Sequence, residues 1–393
     1  MDFDASAREA GAFVRGRGVP NARALLRLAL IYGATDLSLR ATAAWAEATG
    51  LARVSDVALL GRLRAASGWL AQLASSLMTA ARASEPGGGR RIRLIDATSF
   101  GTGGAREATW RVHADYDLAR SRFIGFELTG GYEAERLTRF ATMPGDIVVG
   151  DRIYAHNAAA LQAVCAGGGD FLVRRGLTSC RLLSTDGEPL DIKALLASVG
   201  HGRTMELRVR VPVGDDQSFA ARLVIHHMPK AFAEQARADA DRLAKWGARE
   251  KRLQAAEYVM LLTSLPRRRF PAAELLALYR LRWQIEIAFK RLKSLIGLDQ
   301  LLAKEAALAR AAIGAKLIMA LLTEDLLAEV LDSPPSAAEI EAVALASLQD
   351  RAGRTARRRA RPDHDPRRAR QRQSKAPLQK PRRAQATAKA SAA

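Results

Sequence analysis

The order of strand-like and helical segments between residues 92 and 175 is the feature that most constrains the fold of this chain. Short apolar runs bounded by turn residues predict strands, and alanine-rich runs at helical spacing predict helices. The second and third strands should be antiparallel neighbours. The pattern indicates an α/β domain on a mixed sheet. The predicted order is β-β-β-α-β-α-β, over residues 92–98, 110–116, 123–129, 133–141, 147–151, 155–166 and 171–175.

Two of these strands deliver an acidic residue at their carboxyl ends. Asp96 falls near the end of the first strand, and Asp151 closes the strand at 147–151. If the two strands are neighbours, both carboxylates lie side by side at the edge where open α/β sheets usually place their sites. For either residue taken alone, a turn or helix-capping role is the commoner explanation.

A long helix is predicted between Pro271 and Gly297, since proline favours the first turn and glycine the position past the end. At about 100° per residue, four polar side chains share an arc of about 60° on it. A carboxylate beside a phenol, a guanidinium and an ammonium suits a surface that holds a metal ion and binds phosphates. A separate apolar face could pack on the sheet. The four residues are Tyr279, Arg282, Glu286 and Lys293.

Three carboxylates therefore stand out: those of Asp96, Asp151 and Glu286. Hard oxygen ligands on a rigid sheet can hold two Mg²⁺ ions about 3.5–4 Å apart, as two-metal phosphoryl transfer requires. Glu286 alone would more often be an ion-pair partner one helical turn from Arg282 or Lys290.

The chain is strongly basic, which predicts a polyanionic partner, above all nucleic acid. The net charge of the 393 residues is +20, and residues 351–393 contribute +13 of it. This Arg-, Ala-, Pro- and Gln-rich tail is expected to be disordered. A solubilising role for the tail is the alternative.

Residues 9–83 are rich in Ala, Leu and Arg at helical spacing. A helix ended by Gly50 and a second helix that begins after Ser55 resemble a helix-turn-helix, in which Arg62 and Arg64 would contact DNA. An ordinary helical pair explains the pattern equally well. Trp246 lies in a basic segment and could stack on an unpaired base, but a half-buried helix aromatic is at least as good an explanation.

Other features favour a reduced, cytoplasmic setting. Cys165 and Cys180 have neither disulfide-framework nor zinc-site spacing. The apolar run at 25–32 is short and contains an arginine, so neither a signal peptide nor a membrane span is expected. A prokaryotic cytoplasm is the simplest expectation. His226 and His227 have no evident third ligand, so a structural role is expected for them.

The spacing Tyr-(2)-Arg-(3)-Glu-(6)-Lys of Tyr279, Arg282, Glu286 and Lys293 resembles the signature of the insertion-sequence-four (IS4) family of DDE transposases. Residues 95–98 resemble the family's first-Asp motif, and residues 150–154 resemble the second. Ile153 stands where the family often has glycine. The resemblance covers roughly residues 20–325.

The resemblance implies a ribonuclease H-like catalytic domain with a mostly β insertion, an N-terminal all-α domain and a C-terminal helical segment. The implied limits are 1–85 for an N-terminal helical DNA-binding domain, 90–175 with 266–300 for the catalytic domain, 176–265 for the insertion, 301–350 for C-terminal helices and 351–393 for the basic tail.

The resemblance also implies a function. Asp96, Asp151 and Glu286 would hold two Mg²⁺ ions, which Mn²⁺ could replace, while Tyr279, Arg282 and Lys293 would contact phosphates at the transposon end. Relatives cut DNA by metal-assisted hydrolysis and join the freed 3′-OH to target DNA, so double-stranded DNA and a homodimer on paired ends are the expected partners. The alternatives are a catalytically silent DNA-binding relative and a ribonuclease H-like nuclease without strand transfer.

Overall fold

The computed structural model describes residues 2–83, 90–101, 109–214, 217–243, 255–303 and 305–330. The α-helices in these ranges are α1 Phe3–Glu9, α2 Ala22–Ala34, α3 Leu39–Ala48, α4 Asp56–Ala83, α5 Ala158–Ala166, α6 Ile192–Ser198, α7 Lys230–Leu243, α8 Ala272–Leu281, α9 Trp283–Leu295 and α10 Ala306–Val330. The strands are β1 Ile92–Phe100, β2 Trp110–Asp117, β3 Arg122–Gly130, β4 Ile147–Gly150, β5 Asp170–Arg174, β6 Thr204–Val213, β7 Gln217–His227 and β8 Tyr258–Thr263.

All eight strands join one mixed sheet in the order β3-β2-β1-β4-β5-β8-β7-β6. The pairs β1/β4 and β4/β5 are parallel, and the remaining neighbours are antiparallel. The predicted α/β class and the antiparallel β2/β3 pair are therefore confirmed. β1 and β4 are neighbours, which is the condition on which the juxtaposition of Asp96 and Asp151 depends.

The strands of the segment 176–265 extend the same sheet. β8 pairs with β5 through Leu172↔Thr263 and Arg174↔Leu261, and β7 and β6 follow it outward. The predicted strand content of this segment is confirmed, and its hydrogen bonds continue directly from the strands that precede it.

Both faces of the sheet are covered by apolar side chains, because residues alternate between faces along each strand. Leu94 and Val149 belong to a core shared with α2, α4, α9 and α10, whereas Ile95 and Val148 belong to a second core with α5 and α6. The site described below lies on the face of the first core.

The N-terminal helices begin and end as predicted from their capping residues. Ser55 accepts a hydrogen bond from the backbone N–H of Ala58 at 3.2 Å, and Gly50 has a φ of +67° after α3. α4 runs far beyond the predicted second helix.

At Gly33 a Cβ atom would lie 2.7 Å from the Cβ of Ala315, so a glycine is needed where α2 packs on α10.

Helix α10 lies in the segment 301–350, for which C-terminal helices were expected. Ala306–Leu327 is long and apolar enough to cross a membrane by length and composition, but most of its apolar window is buried inside the protein, as in a core helix.

A buried ion cluster fixes the start of β1. The Arg93 guanidinium pairs with the carboxylates of Asp115 on β2 and Asp146, which precedes β4, and the Arg93 side chain is fully buried. Arg93 Nη1 lies 2.7 Å from Asp146 Oδ2, and the same group donates to the carbonyl of Ala141. These hydrogen bonds and ion pairs replace the hydration that the charged groups lose on burial.

Two predicted helices differ from the structure. The segment 133–141 contains only the 3₁₀ turn Leu137–Arg139, because the Arg139 side chain donates to Ala134 O, a carbonyl that a helix would use. The helix expected at 155–166 begins at Ala158, where Asn157 accepts from Ala160 N at 3.0 Å, and a 3₁₀ helix, Arg152–His156, precedes it.

The single long helix expected between Pro271 and Gly297 is wrong. The structure has two helices, α8 and α9, with Arg282 between them. Arg282 N bonds to Tyr279 O and Ile285 N bonds to Arg282 O, so three-residue spacing interrupts the four-residue pattern. The predicted common arc of the four polar residues therefore crosses a junction, and only Glu286 and Lys293 share one helix.

Other predictions fall outside the described residues. They are the contact expected of Trp246, the part of the C-terminal helical segment beyond residue 330 and the tail at 351–393.

Candidate active site

The register of three parallel strands places polar side chains in a row at one edge of the sheet. The β1/β4 pairing ends at Ile95↔Gly150, and the β4/β5 pairing ends at Gly150↔Val173. The residues that follow are Asp96, Asp151 and Arg174. Because Leu94, Val149 and Leu172, two positions earlier, all face the first core, these three side chains emerge on that face. The predicted juxtaposition of Asp96 and Asp151 is confirmed.

Arg282 brings the third carboxylate to the same place. Its Nη1 lies 3.2 Å from Asp96 Oδ2, and its Nη2 lies 2.5 Å from Glu286 Oε1. The exposed fractions of the Asp96, Arg282 and Glu286 side chains are 15%, 16% and 32%. The three groups thus form a partly desolvated ion cluster between β1 and the α8–α9 junction.

The apolar face of α9 holds Glu286 in this position. Ile285, Ala288, Phe289 and Leu292 are buried in the first core, and the Phe289 ring packs on Phe123 of β3 with ring centroids 5.9 Å apart. The predicted packing of an apolar face beside the polar residues is confirmed.

Asp151 caps the 3₁₀ helix that follows β4. Its Oδ1 accepts from Ile153 N at 2.8 Å. Ile153 does not have a positive φ, and its side chain is 47% exposed. An isoleucine therefore fits where the family often has glycine. Gly150 is required for another reason, since a Cβ atom there would lie 2.7 Å from Tyr154 Cδ2.

Tyr279 of α8 and Arg174 of β5 form the next part of the site. The half-buried Tyr279 hydroxyl accepts a hydrogen bond from Arg282, and Arg174 and Asp151 act on it electrostatically. Burial raises the pKa of Tyr279, and the two guanidinium groups oppose this shift. The phenol therefore stays protonated and available as a donor. Arg174 was not predicted, because its place depends on the β4/β5 register.

Glu135 is a fourth carboxylate at this site that sequence patterns did not indicate. Tyr154 donates a hydrogen bond to it, and Arg111 Nη1 lies 3.7 Å from its Oε1. Burial first, and then the Asp151 carboxylate, raise the pKa of Glu135 against the effect of Arg111. Its segment was predicted as a helix, and no spacing links it to the other acids.

Burial and neighbouring acidic groups act together on Asp96. Burial raises the pKa of Asp96 to about 7, and the carboxylates of Asp151 and Glu135 add to the increase. The backbone N–H of Ala97 and the Arg282 guanidinium oppose it. A carboxyl with such a pKa in a cleft of this kind is typical of a functional site. The cluster has more negative charge than Arg282 alone compensates.

The remaining predicted contacts are placed elsewhere. Lys293 is half-buried on α9, two helical turns or about 10 Å beyond Glu286 on the same face. Arg62 stacks on Phe13 at 5.6 Å and donates to Arg17 O, and Arg64 lies 2.9 Å from Glu305. Such contacts within the chain are typical of the ordinary helical pair.

The Transposase DDE domain family matches residues 87–322 of this chain. The putative transposase InsL for insertion sequence element IS186A of Escherichia coli (strain K12) is 40% identical over 352 residues, which cover 86% of this chain and 94% of that protein. The transposase for insertion sequence element IS421 of Escherichia coli is 40% identical over 353 residues, with the same shares covered. A cryo-EM structure of the piggyBac transposase synaptic complex with hairpin DNA aligns with a TM-score of 0.41 and 11% identity, over 90% of this chain and 75% of that one.

Proposed function

This chain belongs to the DDE transposases, as its resemblance to the insertion-sequence-four family predicted, and we propose that it binds the terminal inverted repeats of an insertion sequence. We propose that it catalyses Mg²⁺-dependent cleavage of these ends and transfer of the freed 3′-OH to target DNA. The observation that carries the proposal is the convergence of Asp96 and Glu286 on Arg282, with Asp151 next to Asp96 at the same edge of the sheet.

We propose a ribonuclease H-like architecture for the part of the sheet that carries these residues. Support comes from the neighbouring parallel strands β1, β4 and β5, with β2 and β3 added antiparallel. The domain limits stay as predicted, with the catalytic domain at 90–175 and 266–300, the insertion at 176–265, the N-terminal domain at 1–85, C-terminal helices at 301–350 and the tail at 351–393.

The residues present fit divalent cations. Asp96, Asp151 and Glu286 offer hard carboxylate oxygens, which Mg²⁺ and Mn²⁺ prefer. The pKa of Asp96 is raised first by burial and then by the carboxylates of Asp151 and Glu135, and a bound cation would oppose both effects. Asp96, Asp151 and Glu286 are proposed to hold the ions. Bound cations would supply Lewis acidity at the scissile phosphate.

The basic side chains are proposed to bind DNA phosphates beside the carboxylates. Arg282 and Arg174 provide planar guanidinium groups, which match phosphate oxygens in pairs. Tyr279 contributes a hydroxyl donor, and Lys293 extends the positive surface two turns along α9. Arg62, Arg64 and Trp246 stay candidate DNA contacts of the flanking domains.

The proposed reaction has two steps at phosphorus. Water attacks the phosphodiester at the transposon end, the 3′-oxygen leaves with a proton, and a 3′-OH and a 5′-phosphate result. This 3′-OH then attacks a target phosphodiester, so one bond forms while another breaks and no further energy source is needed. We propose that a homodimer on paired DNA ends carries out these steps in a prokaryotic cytoplasm.

The decisive experiment supplies a pre-cleaved end DNA, a supercoiled plasmid and Mg²⁺. Joined product is expected from the wild type, and Asp96→Asn, Asp151→Asn and Glu286→Gln should each abolish joining while end binding persists. Glu274→Gln, an exposed carboxylate in the first turn of α8, is the matched control and should join normally.

The alternatives give different products. Cleaved plasmid without joining would indicate a nuclease, and binding without either product would indicate a silent relative. Joining by any of the three variants would remove that residue from the proposed set. A strictly monomeric mass on paired ends would contradict the homodimer.

A further inference from the structure

Three potential metal ligands converge at the end of β7, well outside the carboxylate cluster. The ligand atoms of His201, His227 and Glu257 all lie within 4.8 Å of one another. His201 lies in the turn before β6, His227 is the last residue of β7, and Glu257 directly precedes β8. The expectation that His227 has no further ligand nearby is therefore wrong. Its partners come from positions 26 residues before and 30 residues after it, which no short motif could reveal.

Hydrogen bonds to backbone carbonyls set the tautomers of both rings. His227 Nδ1 lies 2.6 Å from Val199 O, and His201 Nδ1 lies 3.3 Å from Met228 O. A carbonyl oxygen only accepts, so each Nδ1 must carry the hydrogen. In the neutral rings, each Nε2 then presents a lone pair. A backbone carbonyl on the far nitrogen is the usual support of a metal-binding histidine.

The distance between two of the ligand atoms agrees with a small tetrahedral ion. His227 Nε2 lies 3.3 Å from Glu257 Oε2. Two ligands about 2.0–2.1 Å from a tetrahedral Zn²⁺ are separated by about 3.3 Å. The exposed His201 ring is tilted by 38° against His227, with centroids 3.9 Å apart, and can follow an ion by rotating its side chain.

The surroundings fix two of the ligands. The His227 ring is buried and stacks on Tyr258 at 4.2 Å, and Arg237 Nη1 donates to the other carboxylate oxygen of Glu257 at 2.9 Å. The Arg237 contact orients the carboxylate so that its Oε2 faces the His227 ring. Positioned ligands of this kind bind a metal with little reorganisation.

We propose that His201, His227 and Glu257 bind one divalent transition-metal ion, of which Zn²⁺ fits best, with a fourth position open to solvent. Two imidazole nitrogens and one carboxylate suit Zn²⁺, whereas Mg²⁺ prefers oxygen ligands alone. The site is thereby chemically distinct from the carboxylate cluster that Asp96, Asp151 and Glu286 form.

The ion would join three separate segments. It would link the turn before β6 to the end of β7 and the start of β8, where His227 pairs with Tyr258. Since β8 also pairs with β5, the ion would hold the outer strands to the rest of the sheet. Its role is structural, and binding should stabilise the folded protein.

The test uses the full-length protein without a histidine tag, stripped of metal with a chelator and titrated with Zn²⁺ in a calorimeter. Asp96→Asn with Glu286→Gln provides a background in which the carboxylate cluster cannot compete. One equivalent should bind in this background, and His201→Ala or Glu257→Gln should weaken the binding at least about tenfold.

His226→Ala is the matched control. His226 lies next to His227 but points to the opposite face of β7, where its Nδ1 meets the hydroxyl of Thr204 at 2.9 Å. This variant should bind Zn²⁺ as the wild type does. Co²⁺ serves as a second probe, and the wild type should show the visible absorption of a Co²⁺ ion with fewer than six ligands.

Two results would overturn the proposal. One is the absence of a stoichiometric Zn²⁺ equivalent, which would leave His227 and Glu257 as an imidazole–carboxylate pair. The other is binding that His201→Ala and Glu257→Gln do not change, which would show an adventitious ion elsewhere. If a variant does not fold, the Co²⁺ spectrum of the wild type decides, because six-coordinate, weakly absorbing Co²⁺ contradicts the site.

Discussion

Arg282 Nη1 lies 3.2 Å from Asp96 Oδ2, and this ion pair joins the α8–α9 junction to β1 across 186 residues of sequence. The same guanidinium binds Glu286 one turn later. The break in the helix lies at the residue that contacts both acids. Arg282 therefore connects the helix pair to the sheet at the point where the proposed chemistry takes place.

Replacing Arg282 by alanine should weaken the binding of cleaved ends. One phosphate contact is lost, so affinity should fall about tenfold. The slope of the logarithm of the binding constant against the logarithm of the salt concentration should decrease by about one. Fluorescence anisotropy with pre-cleaved end DNA over a range of KCl concentrations measures both. Lys193→Ala removes one exposed cation of α6 and is the matched control. An unchanged salt slope for Arg282→Ala would assign this residue a purely structural role.

Glu135→Gln tests the fourth carboxylate. It removes a negative charge beside Asp96 and Asp151 but keeps an acceptor for Tyr154. The concentration of Mn²⁺ needed for half-maximal cleavage should rise about 10–100-fold, as for other groups that support metal ligands. Glu133→Gln, whose side chain is 61% exposed, is the neighbouring control. Equal Mn²⁺ curves for the two variants would exclude Glu135 from the site.

Arg93→Met should destabilise the fold strongly. It leaves the buried carboxylates of Asp115 and Asp146 without their cation, which costs about 3–5 kcal/mol. Urea unfolding measures the loss, and Arg208→Met on the exposed side of β6 controls for a change of arginine in a strand. Adding Asp115→Asn and Asp146→Asn should recover part of the stability. A triple variant less stable than Arg93→Met would refute the charge explanation.

Glu324 should make stability depend on pH. Burial raises its pKa from 4.5 to about 7, while its carboxylate accepts from Phe123 N at 3.1 Å. The folded protein therefore holds this proton more tightly than the unfolded chain. The contribution to stability is present at low pH and is lost as pH rises through about 7.

Glu324→Gln cannot titrate and keeps the acceptor oxygen. It should exceed the wild type by about 1–2 kcal/mol in unfolding free energy at about pH 8.5, and this advantage should vanish below about pH 4, where the carboxyl is protonated in both states. Urea unfolding at both pH values measures the difference, with the exposed Glu234→Gln as control. A constant difference between the two pH values would show that Glu324 does not titrate in this range.

Local patterns were sufficient to predict the order of the strands along the chain and the two acidic residues at strand ends. Asp96 and Asp151 follow apolar runs, and the β1/β4 pairing then makes them neighbours. The break at Arg282 could not be predicted, because neither proline nor glycine marks it. Its contacts depend on Asp96, which is distant in sequence.

Residues that depend on register or on distant partners were also missed. Arg174 reaches the site because Gly150 pairs with Val173, and His201 meets Glu257 because β6 and β8 both pair with β7. No periodicity within one segment contains such information. The roles of Asp96, Asp151 and Glu286 as metal ligands stay predictions.

The pairing of β8 with β5 limits how this protein can be shortened. Without residues 176–265, the backbone groups of Leu172, Val173 and Arg174 would have no strand on the side away from β4. Such an open edge readily recruits a strand from another molecule. A trimmed enzyme should therefore self-associate through β5, and a minimal active version would need a substitute strand at that position.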